Sequence, residues 1–169
     1  MAFGRMIRTL LLLTLLAGLL SVHGCRTEGP TVERVEIGGE VFTLELALDE
    51  YSRAQGLMWR ESLAEDGGML FVYPEPQVMN FWMGNCLIDL DIMYLDPRGF
   101  VVQTHTMSAE PPQREDESDT DYRNRMPTYS SRLPAQYAIE LRAGTLDRLG
   151  ISVRDRIVLD FDRLKRLAQ

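Results

Sequence analysis

Apolar and polar residues alternate along Val32-Glu-Arg-Val-Glu-Ile37, and again along Val41-Phe-Thr-Leu-Glu-Leu-Ala-Leu48 after the pair Gly38-Gly39. A period of two is the strand signal, and a Gly-Gly pair between two such runs predicts a hairpin. In the returning strand Phe42, Leu44, Leu46 and Leu48 share one face; Val41, Thr43, Glu45 and Ala47 share the other. Asp49 then stands where a helix cap belongs, ahead of a short helix Glu50-Tyr-Ser-Arg-Ala-Gln55 that Gly56 stops.

The same reading places short strands at Met69–Tyr73, Val78–Met83, Leu90–Leu95 and Phe100–Met107, the last two joined by the turn Asp96-Pro-Arg-Gly99. Residues 108–134 break the pattern. They are polar, contain four prolines, and carry the acidic run Glu115-Asp-Glu-Ser-Asp-Thr-Asp121, so a long mobile loop is expected. Its Glu117-x-Asp119-x-Asp121 spacing resembles a calcium loop, but Tyr122 and Thr128 stand where an EF-hand requires glycine and glutamate. Order returns with a strand at Gln136–Leu141, a helical turn capped by Thr145 and ended by Gly150, a closing strand at Arg156–Phe161, and a basic tail over 163–169. The predicted fold is β-rich α+β: a small curled sheet or barrel-like domain with one or two short helices.

The first 24 residues follow a different rule. Arg5 and Arg8 precede an uncharged stretch of about 14 residues, and Val22-His23-Gly24 leads into Cys25. This reads as a secretory leader, too short to cross the roughly 20-residue hydrocarbon core as a permanent helix. Val22-His23-Gly24-Cys25 resembles a bacterial lipobox, with His23 an unusual residue at its place. The expectation is a lipoprotein signal over 1–24, a lipidated Cys25, a short tether over 25–31 and a single domain over 32–162. The protein would then be secreted across the inner membrane, face the periplasm or exterior, and be held to the membrane by lipid.

The leader contains two of the 18 basic residues and none of the 25 acidic ones, which leaves the remainder at a net charge of −9. Such a surface excludes nucleic acid as the expected partner. With Cys25 acylated, Cys86 is the only thiol in an oxidising compartment, so no internal disulfide is expected. The remaining 145 residues suffice for one packed domain without that staple, and a monomer is expected.

Four segments occur in one order: Gly56-Leu-Met-Trp-Arg60; Gly68-Met-Leu-Phe71; Phe81-Trp-Met-Gly-Asn85 through Leu90-Asp-Ile92; and Ile139-Glu-Leu-Arg-Ala-Gly144. Together they resemble the bacterial and archaeal family called "domain of unknown function 192", over roughly residues 33 to 161. The resemblance implies a small, compact, β-rich domain, often behind a signal peptide, with no assigned activity. It also marks departures. The family pattern has lysine, asparagine and threonine after Trp-Met, and proline before Leu-Asp, where this chain has Gly84, Asn85, Cys86 and Asp89.

Asp91 and Glu140 each lie between apolar neighbours, where a carboxylate is paired or has a raised pKa. Arg60 is the expected ion-pair partner, and Asn85 a neutral hydrogen-bonding group. One reading makes these contacts structural. Another gathers Arg60, Trp82, Asn85, Asp91 and Glu140 into a polar cleft that binds an envelope ligand or protein partner. A third uses Asp91 and Glu140 as an acid/base pair for glycan cleavage, although no nucleophile or zinc motif accompanies them. A fourth places copper on Met83, Cys86, His105 and Met107, against the plainer role of methionines as core filling. The binding module is favoured over an enzyme, and no cofactor is expected.

Overall fold

A computed structural model describes residues 32–168. The leader, Cys25 and the tether lie outside the described residues. Strand β1 (Val32–Ile37) turns back through Gly38-Gly39 into β2 (Glu40–Ala47). Both glycines have positive φ, 59° and 85°, which side-chain-bearing residues rarely adopt. Helix α1 (Glu50–Gln55) follows, with Asp49 and Ser52 forming a reciprocal capping box. It leads the chain over to β3 (Gly67–Gln77), which runs parallel to β2.

Next come β4 (Asn80–Trp82), β5 (Leu90–Leu95), β6 (Val101–Met107), α2 (Asp119–Arg125), β7 (Thr128–Ser130) and β8 (Ala135–Arg142). Helices α3 (Thr145–Leu149) and α4 (Phe161–Leu167) complete the domain. The main sheet has the order β1-β2-β3-β8-β5-β6, and β4 pairs with β7 in a small second sheet. The expected β-rich α+β fold with a curled sheet is what forms. It does not close into a barrel, because β1 and β6 remain its two edges.

Both faces of the main sheet are covered. One carries Ile37, Phe42, Leu44, Met93, Tyr137, Ile139 and Leu141 with Leu146 and Leu164 from α3 and α4. The other carries Phe71, Leu90, Ile92, Tyr94 and Ala138 beneath Leu57, Met79, Met83 and Cys86. Burial on both sides explains why β5 and β8 read as nearly continuous apolar runs.

Several expectations are corrected. Residues 108–134 are not a bare loop: Ser118 caps α2, and β7 joins β4. Glu117 holds this segment, its carboxylate 2.7 Å from Arg125 Nε, while Arg125 Nη2 donates to the carbonyls of Pro111 and Pro112. The acidic run is thereby tied to its own arginine rather than arranged around a cation. Residues 156–161 form only an isolated bridge, Phe100 to Arg156, because Asp160 already caps α4. The basic tail is that helix, docked through Leu164 and an ion pair between Arg163 and Glu33. The N-cap of α3 is Gly144, not Thr145, and the described residues form four short helices. Strand β3 also continues through Pro74 and Pro76, with its pairing to β8 shifted between Val72 and Gln77. Prolines cannot donate to the ladder, and the carbonyls left open are taken by Arg53, on Val72, and Gln136, on Tyr73 and Pro74.

Candidate functional site

Glu140 sits in the middle of β8, paired with Met69 of β3 on one side and Ile92 of β5 on the other. Its neighbours Ile139 and Leu141 face the α3 and α4 side, so the alternation of the strand sends Glu140 to the opposite face. There it is 6% exposed. No hydrogen bond or ion pair from any described residue reaches its carboxyl. The group opens onto a small cavity of about 40 Å³, whose walls include Met58, Phe71, Phe81, Trp82 and Cys86.

Each of the four sequence segments quoted above contributes to this cavity: Gly56, Leu57 and Met58 from the first, Phe71 from the second, Phe81, Trp82 and Cys86 from the third, and Glu140 from the fourth. The local geometry that gathers them is compact. A Cβ on Gly68 would lie 2.4 Å from the Glu140 carbonyl oxygen, so glycine there lets β3 and β8 approach. The edge of Phe71 meets Phe81 at 4.9 Å between centroids, and Phe81 meets Tyr94 at 5.6 Å.

Asn85 does not line the cavity, but it ties together the loops that do. Its φ is 59°, a conformation asparagine tolerates better than most residues. Its backbone N–H donates to the Tyr122 hydroxyl at 2.9 Å, and its carbonyl accepts from Trp59 N–H at 2.8 Å. Its side-chain amide reaches Met58 Sδ at 3.9 Å. Tyr122 belongs to α2 and meets the Trp82 ring edge-on at 6.1 Å. The segment expected to be a loop thus braces the wall of the cavity.

The predicted cleft is therefore only partly assembled. Trp82 and Glu140 come together, with Asn85 behind them. Arg60 does not join them, because it pairs with Glu45 at 2.7 Å on the surface, both side chains more than two-fifths exposed. Asp91 is buried on the other face of the sheet, where its carboxylate accepts from Thr106 Oγ1 at 2.8 Å and from the Leu146 N–H at 2.9 Å. It caps the start of α3. With the sheet between them, Asp91 and Glu140 are not an acid/base pair for one glycosidic bond.

The four copper candidates lie on the Glu140 side of the sheet but have other duties. Met83 and Met107 are buried in the core, and His105 Nε2 lies 2.8 Å from the Ser130 carbonyl, to which it donates. Among the described residues no group of three or more His, Cys, Asp or Glu is placed to hold a metal ion. Sequence reasoning missed Met58, Phe71 and Phe81 as cavity residues. Their signal was present, since they stand inside the motif segments.

Burial sets the electrostatics. It pushes the Glu140 carboxyl up to about 8 from the ordinary 4.5, so the group holds its proton at neutral pH. Burial, and then the nearby Glu140, push the Cys86 thiol up to about 12. The hydroxyls of Tyr73 and Tyr94 are raised as well, chiefly by burial. Larger open depressions exist elsewhere, one of about 620 Å³ beside Glu40, Glu65, Arg142 and Arg148. Its two arginines are taken up there, Arg148 by Glu40 at 2.5 Å and Arg142 by Glu65 at 3.5 Å.

Comparison with known proteins agrees with the motif reading. Residues 33–159 match the family DUF192, described as an uncharacterized ACR. Two solved structures are similar to this chain. One, a protein called a "putative transcription regulator" from Sinorhizobium meliloti 1021, is 34% identical, with 74% of this chain and 89% of that one covered and a TM-score of 0.60. The other, a protein of unknown function from Novosphingobium aromaticivorans DSM 12444, is 29% identical, with 76% and 85% covered and a TM-score of 0.61. No curated protein matches the sequence significantly.

Proposed function

The chain belongs to the DUF192 family, and from that premise we propose that it is a lipid-anchored, ligand-binding module of the cell envelope, with the Glu140 cavity as its site. The observation that carries this reading is the largely buried Glu140, whose carboxyl faces the cavity with no partner among the described residues. Desolvating a carboxyl that has no ion-pair partner among the described residues costs free energy, and its raised pKa records that cost. A group that costs stability and opens onto a cavity walled by the family's own motifs is best explained by what it binds. The envelope location rests on the leader and on Cys25, whose acyl chains would hold the domain against the membrane through a seven-residue tether. The regulator name of the Sinorhizobium relative is not carried over, since the net charge of −9 after the leader opposes a nucleic-acid surface.

Native mass spectrometry of the full chain, extracted from its own envelope in mild detergent, tests the reading. The expected result is a defined mass excess that disappears in Glu140→Gln, and release of Cys25→Ser from the membrane fraction. A bare mass for the wild-type protein removes the binding role, and a Cys25→Ser chain that stays in the membrane pellet removes the lipid anchor.

A further inference from the structure

We propose that the Glu140 cavity holds the ammonium tip of an organic amine, with the Glu140 carboxylate as its counter-charge and Phe71, Phe81 and Trp82 as aromatic walls. This rests on the ligand-binding reading above and names the ligand class of the same site. The argument starts from size. A free volume of about 40 Å³ has room for roughly one water molecule, which suits the ammonium tip of an amine and not a sugar or nucleotide. The rest of such a ligand would lie outside.

Chemistry narrows the class further. Glu140 is 94% buried as a residue, and its carboxyl, which no described residue partners, opens onto the cavity and asks for a hydrogen-bond donor, preferably a cationic one. Aromatic walls beside a carboxylate are the arrangement that favours ammonium groups, through the negative faces of the rings. An anion finds no counter-charge in Glu140, whether its carboxyl is protonated or ionised. Soft metal ions find few free lone pairs, since Met58 Sδ already accepts from Asn85 and the Cys86 thiol stays protonated. The net charge of −9 after the leader further favours cations over anions at the surface.

Four other charged or titratable groups surround the site: Arg53 from α1, Tyr73 from β3, Tyr94 from β5 and Cys86 after β4. Arg53 is engaged by the Leu48 and Val72 carbonyls and lies 4.9 Å over the Tyr73 ring. The two hydroxyls and the thiol remain neutral through the physiological range. Glu140 is therefore the group that ionises when a cation enters: one proton passes from its carboxyl to solvent, and an ammonium–carboxylate pair remains.

Titration calorimetry with n-propylammonium chloride tests this on the full-length chain, at several pH values and in two buffers of different ionisation heat. Affinity should rise about tenfold per pH unit up to about pH 8, with close to one proton released per ligand at pH 6 to 7. It should fall again above pH 10, where an alkylamine loses its charge. Glu140→Gln should weaken binding at pH 8.5 at least tenfold, and Trp82→Leu should weaken it severalfold. Equal binding by Glu140→Gln, equal binding of potassium, or no propylammonium binding at pH 8.5 overturns the ammonium assignment. The mass excess of the envelope-purified protein decides the broader binding role separately, so the two readings fail on different results.

Discussion

Asp91 on β5 stands opposite Leu141 on β8, one position out of step with Glu140, so the two carboxylates leave the same sheet on opposite faces. That offset gives them different lives. Asp91 is satisfied by a hydroxyl and a backbone N–H at the start of α3, whereas among the described residues Glu140 has no such donors.

For Asp91, the prediction is a structural loss without a binding loss. Asp91→Ala removes two accepted hydrogen bonds and leaves the Leu146 N–H and the Thr106 hydroxyl without their partner, at a cost of about 2–4 kcal/mol. Urea unfolding should show this as a lower midpoint with unchanged slope. Binding at the Glu140 cavity should be retained under native conditions.

For Glu140, the sign follows from linkage. Its pKa is higher in the folded protein, about 8, than the ordinary 4.5 of the unfolded chain. Between these values the folded state binds the extra proton, so its contribution to stability is full below about pH 4.5 and is lost as pH rises through 8. The slope from this group alone is roughly 1.4 kcal/mol per pH unit within that window. Glu140→Gln should abolish the decline, and should make the protein more stable than wild type at pH 8 in thermal or urea unfolding. A wild-type curve flat from pH 5 to 8, after correction for the other groups, would contradict this.

Gly84 supplies a test of the cavity wall. A Cβ placed there would lie 2.3 Å from the Trp82 ring, so the ring rests directly on the glycine backbone. Gly84→Ala should displace Trp82 and cost about 1–3 kcal/mol, the usual range for overpacking. Gly84→Lys, the residue type that the family pattern has here, should shift Trp82 further. The tryptophan emission of a Trp59→Phe background, which leaves Trp82 as the sole reporter, would follow the change.

Glu117 governs the segment that braces the wall. The Arg125 guanidinium holds its carboxyl below the ordinary range, so the pair persists at neutral pH and weakens on acidification. Glu117→Ala should expose residues 108–134 to limited proteolysis while the main sheet survives. Cleavage sites mapped by mass spectrometry should cluster there, and a cleavage pattern identical to wild type would count against the tie.

Much of the fold was legible because its cues are local. The Gly38-Gly39 turn, the Asp49 cap, the Asp96–Gly99 turn and the alternating strands each depend on residues within a few positions of one another. The errors lie where distant contacts override local character. The segment 108–134 reads as polar and acidic, yet Tyr122 docks on Asn85 and Trp82 and turns it into a helix and a strand. The tail reads as basic and frayed, yet Leu164 finds the core.

The sequence by itself determined the first hairpin, its capped helix, most of the central strands, the acidic balance and the family, because periodicity, capping residues and motif order are properties of the chain alone. It also marked Asp91 and Glu140 as carboxylates in apolar surroundings. Only the tertiary structure decided their fates. Strand register sets which face a side chain takes, and a difference of one residue put Asp91 under α3 and Glu140 into a cavity that all four motifs enclose.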